Sequence, residues 1–246
     1  MADANPVATP AEPSMMKKNC GEAVDVPYRE LVGSLMHLTV ATRPDLAYIV
    51  SILSKYLENP SREHWTAAKR VLKYLAGTVD IGIVYGRDDS NELVGYSDAD
   101  YAACTESRKS ISGVVLMLNG GPIAWLSRKQ TVVATSTTDA EYVAAHDCAK
   151  EIVWTRRLLA DIGCSQQEPT TLFCDNAAAQ KLIDNPVYHR RTKHIDVKFH
   201  YTRDLVKNSE LEVAHVCSEL QLADIFTKPL TKDKFEKNRM LLNVAG

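Results

Sequence analysis

At 246 residues the chain is long enough for one large domain or a domain with an appendage. Hydrophobic residues make up 45% and charged residues 24%, the balance of a soluble globular protein. A net charge of -2 excludes a uniformly basic nucleic-acid wrapper and leaves room only for a local basic patch. No apolar run reaches membrane-spanning length, and the opening MADANPVATPAEPSMMKKN has no apolar leader core. Six cysteines, Cys20, Cys104, Cys148, Cys164, Cys174 and Cys217, form no CxxC pair, and several sit inside apolar runs. That pattern points to buried free thiols in a reducing compartment, not to disulfides or zinc. The expectation is an intracellular protein, cytoplasmic or nuclear, with no membrane partner.

Residues 1–26, rich in Ala, Pro and polar residues, read as a tail or linker. Residues 27–88 carry helical stripes. Leu31, Leu35, Leu38 and Val40 open the first. Arg43-Pro44-Asp45 breaks it, because proline disfavours helix at the residue before it and suits a new first turn. Ala47, Val50, Ile52, Leu53 and Tyr56 mark the second helix. Ser61 caps a third, with Trp65, Ala68, Val71, Leu72 and Leu75 as its stripe and Gly77 at its end. Residues 81–85 read as a short strand, and GRDDSN marks a boundary. Within 89–230 the pattern predicts strands at 93–98, 112–118 and 122–127, with Asn119-Gly120-Gly121 turning between the last two. A long helix at 138–162, a strand at 170–174, a short helix at 176–183 and a helix within 187–207 follow. A strand at 211–216 and a final short helix at 220–226 complete an α/β mixed-sheet layout. Residues 231–246 read as a C-terminal tail.

Four acids stand out. Asp98 closes the run LVGYSDADY, and strand ends at the carboxyl edge are where open α/β sheets place their chemistry. An Asp there is also an ordinary turn residue. Glu141 tops a stripe of Ala144, Ala145, Cys148, Ile152 and Leu159 on the long helix. A core-facing carboxylate needs a reason, and a capping box of Thr138 with Glu141 would supply one. Asp175 ends TLFCD, where a turn or helix-dipole Asp is common and Asn176 can cap the next helix. Asp224 lies in the last short helix, with Ser218 and Gln221 as its capping pair, and a solvated acid is the bland reading. Acids so placed can converge on one edge of a mixed sheet. Clustered carboxylates repel unless cations neutralise them. An all-oxygen set suits Mg2+, with Mn2+ as a substitute, and two ions ~4 Å apart would serve phosphodiester hydrolysis.

The stretches GYSDADYA, GPIAWLSRKQTVVATSTTDAEYVAA, LFCDNAAA, NPVYHRRTKHIDVKFHYTRD and QLADIFTKPL resemble the ribonuclease H domain of Ty1/copia-type retrotransposon Pol polyproteins. PYRELVGSLMHLTVATRPDLAY and HWTAAKRVLKYLAGT are similar to the helical end of the reverse transcriptase that precedes it. The match runs from about residue 3 to 242. It implies a ribonuclease H-like five-stranded mixed sheet flanked by helices, preceded by a small helical segment. It implies cleavage of the RNA strand of an RNA–DNA hybrid. It also implies particle association, and the missing polymerase part as a partner. Carried over position by position, Asp98, Glu141, Asp175 and Asp224 are the metal-binding acids, Asp100 is a lesser candidate, and His215 matches a histidine that some relatives use in product release. Tyr101 and Ala103 stand where Trp and Gly are usual, Asp139 where Glu is usual, and Ala177 where a polar residue is often found. No Tyr-x-Asp-Asp polymerase motif is present, so no DNA synthesis is expected.

Backbone and 2′-hydroxyl contacts should dominate recognition of a hybrid. The candidates are Arg108, Lys109, Arg128 and Lys129 near strand ends, Asn176, and the basic segment with Arg190, Arg191 and Lys193. His189, His194 and His200 lack the spacing and a nearby Cys for zinc. Two other readings compete. One is a catalytically inactive nucleic-acid-binding or interaction module of the same fold. The other is an integrase, which would need Glu210 as its late acid and has no His–Cys zinc module before it.

Overall fold

The computed structural model describes residues 4–13, 22–86, 91–184 and 196–246. Two compact units form, Met1–Val84 with Lys228–Gly246, and Tyr85–Thr227.

The first unit is built on α1 (Tyr28–Ala41), α2 (Ala47–Leu53) and α3 (Arg62–Ala76). The face that α1 buries is Tyr28, Val32, Leu35 and Thr39, not the expected Leu31, Leu38 and Val40, and Val40 is 76% exposed. Tyr28 anchors the shift, because its hydroxyl donates to the Leu53 carbonyl at 2.9 Å. The break between α1 and α2 does more than turn the chain. Buried Arg43 forks onto Asp45 at 3.0 and 2.8 Å, and the Tyr74 hydroxyl donates to the same carboxylate at 2.6 Å. An ion pair this deep is tolerable only because its remaining polar groups are bonded. The start of α3 is closed by Ser61, whose main-chain N–H donates to His64 Nδ1 at 2.9 Å. The stretch expected as an N-terminal linker is partly packed, with Ala11 buried and Glu12 paired to Arg70 at 2.7 Å. The strand expected at 81–85 is reduced to β1 (Gly82–Ile83).

The second unit holds one sheet. Its strands are β2 (Val94–Asp100), β3 (Ile111–Leu118), β4 (Gly121–Lys129), then β5 (Thr170–Cys174) and β6 (Leu211–His215). The spatial order is β4-β3-β2-β5-β6. β2, β3 and β4 form an antiparallel meander, and β5 and β6 add in parallel. This is the five-stranded mixed sheet flanked by helices that the sequence implied. Asn119 and Gly120 both take positive φ at the β3–β4 turn, the conformation a two-residue hairpin demands.

The long helix α4 (Thr137–Asp161) lies on β2 and β3. Gly95 permits the close approach, since a Cβ there would sit 2.9 Å from Cys148 Sγ and Ile152 Cδ1. Glu141, Ala144, Ala145, Cys148, Ile152 and Leu159 are all buried, as the stripe predicted. α5 (Ala177–Asp184) and α6 (Asp196–Lys207) pack on α4. A 3-10 helix, Leu222–Phe226, packs on β2 and β3.

Residues 231–246, expected as a tail, instead fold into α7 (Lys232–Leu241) and β7 (Val244–Ala245). β7 pairs antiparallel with β1, and Phe235 of α7 meets the Tyr74 ring edge-on at 5.7 Å. Among the described residues no helix is long and apolar enough to cross a membrane.

Candidate active site

Sheet register and α4 together bring three of the four acids to one edge. Ser97 of β2 is level with Cys174 of the parallel β5, so Asp98 and Asp175, the next residue on each, stand side by side at the carboxyl ends. Asp98 is 2% exposed and Asp175 half-buried. Glu141 reaches the same place from α4, and a ligand atom from each of Glu141, Cys174 and Asp175 lies within 4.8 Å of the others. Burial pushes the Cys174 thiol up to about 12, and the nearby Glu141 carboxylate, then Asp175 and Asp98, add to that shift.

The capping-box explanation for Glu141 fails. α4 is capped two residues earlier, where Ser136 Oγ accepts from the Asp139 N–H at 3.1 Å and Thr135 bonds the Asp139 carboxylate. Glu141 lies beyond the capped turn, so the helix start gives it no structural duty there.

Asp224 arrives by a different route. The 3-10 helix that carries it is capped by Gln221, whose side-chain oxygen accepts from the Ala223 N–H at 3.1 Å. Gln221 Nε2 also donates to the Ser97 carbonyl at 2.9 Å, fixing this helix to β2. At its other end the Thr227 hydroxyl bonds Asp98 Oδ2 and approaches the Asp224 carbonyl at 3.1 Å. Asp224 is 1% exposed, not a solvated acid. Ser218, expected as a cap, instead donates to Asp175 Oδ2 at 3.0 Å. In sequence, Asp224 stands out within QLADIFTKPL, and Gln221 offers only a local cap. Thr227 was missed, although a hydroxyl three residues after an acid was the available signal.

The remaining candidates sit around this edge. Asp100 is half-buried on the same strand face as Asp98. His215 is exposed at the end of β6, level with Cys174. Asn176 caps α5, its Oδ1 accepting from the Ala178 and Ala179 N–H groups at 3.0 Å each. Arg128 and Lys129 of β4 pair with Ser112 and Ile111, and Ile111 pairs with Asp100, so both lie at the same end of the sheet as the acids. Arg108 is exposed in the β2–β3 loop, and Lys109 Nζ donates to the Thr131 carbonyl at 2.6 Å. Arg190, Arg191 and Lys193, with His189 and His194, lie outside the described residues.

Arg128 has a second allegiance. It pairs with Asp147 of α4 at 3.1 Å, and Lys150 adds a contact at 3.0 Å. Burial pushes the Asp147 carboxyl up, but the Lys150 and Arg128 bonds and charges outweigh it and hold the carboxyl below its usual range. A depressed folded pKa gives stability that is present above the unfolded value and lost as pH falls through the folded one. Asp147→Asn is therefore expected to cost about 1 kcal/mol at pH 7. The gap in Tm from wild type should narrow as the pH drops below about 4; a gap that stays constant with pH in thermal melts would contradict this.

No protein-family model matches the chain. It is 41% identical over 253 residues to the retrovirus-related Pol polyprotein from transposon TNT 1-94 of Nicotiana tabacum, covering 99% of this chain and 19% of that protein. It is 42% identical over 239 residues to the corresponding polyprotein from transposon RE2 of Arabidopsis thaliana, covering 96% and 16%. The chain thus spans less than a fifth of the length of these curated relatives. Among solved structures it is similar to LC11 ribonuclease H1, isolated from compost, at 18% identity and a TM-score of 0.43, covering 60% of this chain and 98% of that one. The sheet order itself carries the fold assignment. Nearly the whole chain is thus homologous to part of the Ty1/copia-type retrotransposon Pol polyproteins, and the unit that holds the four acids has a ribonuclease H-like fold.

Proposed function

We propose that residues 85–227 hydrolyse the RNA strand of RNA–DNA hybrids, using two Mg2+ ions held by Asp98, Glu141, Asp175 and Asp224. The supporting observation is that ligand atoms of Glu141, Cys174 and Asp175 lie within 4.8 Å of one another, with Asp98 beside Asp175 on the neighbouring strand and the Asp224 main-chain carbonyl linked to Asp98 through Thr227. The donor set fits a hard divalent cation. Glu141 and Asp175 offer carboxylate oxygens beside the Cys174 sulfur, and the oxygens are the donors a hard cation prefers. When bound, the ions would offset the repulsion among the acids and supply the Lewis acidity that phosphodiester hydrolysis requires.

The chain's own residues do the positioning. Parallel pairing of β2 and β5 sets Asp98 beside Asp175, and Ser218 orients the latter. Arg108, Lys109, Arg128 and Lys129 line the same end of the sheet toward β4, where they would meet backbone phosphates. The amide N–H2 of Asn176 would make a minor-groove contact, its oxygen being committed to α5. His215, exposed one strand from Asp175, would meet the departing product. The preference for a hybrid rests on family membership. In the full polyprotein the polymerase part would be the partner, inside a cytoplasmic particle or the nucleus, and Mn2+ would substitute for Mg2+.

With one labelled RNA strand presented single-stranded, in an RNA duplex and in an RNA–DNA hybrid, Mg2+ should support cutting of the hybrid alone. Equal cutting of all three would overturn the substrate assignment.

A further inference from the structure

The 3-10 helix Leu222–Phe226 is short, yet it holds the buried Asp224 against β2 and β3. What holds it there is a clamp at each end, on consecutive residues of β2. Gln221 Nε2 donates to the Ser97 carbonyl at 2.9 Å, and the Thr227 hydroxyl bonds Asp98 Oδ2. Gln221 and Thr227 are both fully buried.

We propose that Thr227 is a positioning residue whose hydroxyl sets Asp98 and Asp224 in one arrangement, so that both meet the same cation site. This rests on the reading of the acid cluster as a cation centre. The side chain divides its work. Its methyl packs over Gly113, where an added Cβ would lie 2.7 Å from Thr227 Cγ2. Its hydroxyl has one proton and lies between two acceptors, the Asp98 carboxylate and the Asp224 carbonyl. The carboxylate is the stronger acceptor, because charge-assisted hydrogen bonds are shorter and stronger than neutral ones. Helix termination does not need the hydroxyl, because the Thr227 main-chain N–H already donates to the Asp224 carbonyl at 3.2 Å. The bond to Asp98 therefore spans 129 positions of sequence for a purpose other than closing a local turn. Groups that orient metal-binding side chains in this way typically change cation affinity about 10- to 100-fold when removed.

Two variants separate the hydroxyl from the methyl. Thr227→Val keeps the shape and loses the donor; Thr227→Ser keeps the donor and loses the methyl. Mn2+ binding to the whole chain, followed by electron paramagnetic resonance, reads the site without requiring turnover, and thermal melts control for folding. The valine variant should bind Mn2+ about tenfold more weakly while still melting as a folded chain, with a Tm lowered by the lost hydrogen bond. The serine variant should bind like wild type despite a lower Tm. Unchanged affinity in the valine variant overturns the proposal, as does equal weakening in both variants. A wild-type chain that binds no Mn2+ overturns this inference together with the cation-centre reading. A wild-type chain that binds Mn2+ but cuts no hybrid removes the nuclease assignment alone.

Discussion

Asp98→Asn is expected to lower Mg2+-dependent hybrid cleavage about a thousandfold, some 4 kcal/mol of transition-state stabilisation. Asparagine keeps the shape of the side chain, and its amide oxygen can still accept the bond from Thr227. What disappears is a full negative charge, 2% exposed, beside Asp175 and within the field felt by Cys174. Folding should survive, because removing one of several crowded carboxylates relieves repulsion as well as removing a ligand. Single-turnover cleavage together with a thermal melt separates the two effects. Retained cleavage would remove Asp98 from the site, and a collapsed Tm would make its role structural.

The second large effect comes from a residue with no side chain. Gly113 of β3 pairs with Asp98, and the 3-10 helix lies over it. A Cβ at this position would stand 2.7 Å from the Ala223 carbonyl oxygen and 2.9 Å from Phe226 Cβ. The carbonyl is backbone and cannot rotate away, so Gly113→Ala must push the helix carrying Asp224 off the sheet. Overpacking of this kind costs about 1–3 kcal/mol. Because the displaced element holds Asp224 and Thr227, cleavage should fall by more than the stability loss alone explains. Measuring both Tm and cleavage at a temperature where the variant is fully folded checks this. Normal cleavage by the folded variant would show that the helix tolerates displacement.

The sheet was legible because each of its strands carries a local signal. The period of 93–98, the Asn-Gly-Gly turn and the stripe of α4 all act within about 20 residues. The acids were legible as a set but not one by one. Glu141 looked like half of a capping box until Ser136 and Asp139 took that task. Asp224 looked solvated because the groups that bury it, β2 and β3, lie about 110 to 130 positions upstream. The fold of 231–246 was invisible for the same reason. α7 buries only Phe235 and Asn238, and its following strand pairs with β1, far back in the chain. Long-range pairing leaves no periodic trace in either partner. The substrate was legible only through family resemblance, since no side chain in the cluster distinguishes a hybrid from another phosphodiester.

The most direct test of the account is a single-turnover assay of the purified chain on an RNA–DNA hybrid labelled on the RNA strand. Mg2+ should yield RNA fragments with 5′-phosphate and 3′-hydroxyl ends, and chelation should stop the reaction. A chain that shifts the hybrid in a gel yet leaves its RNA intact in both Mg2+ and Mn2+ would contradict the account.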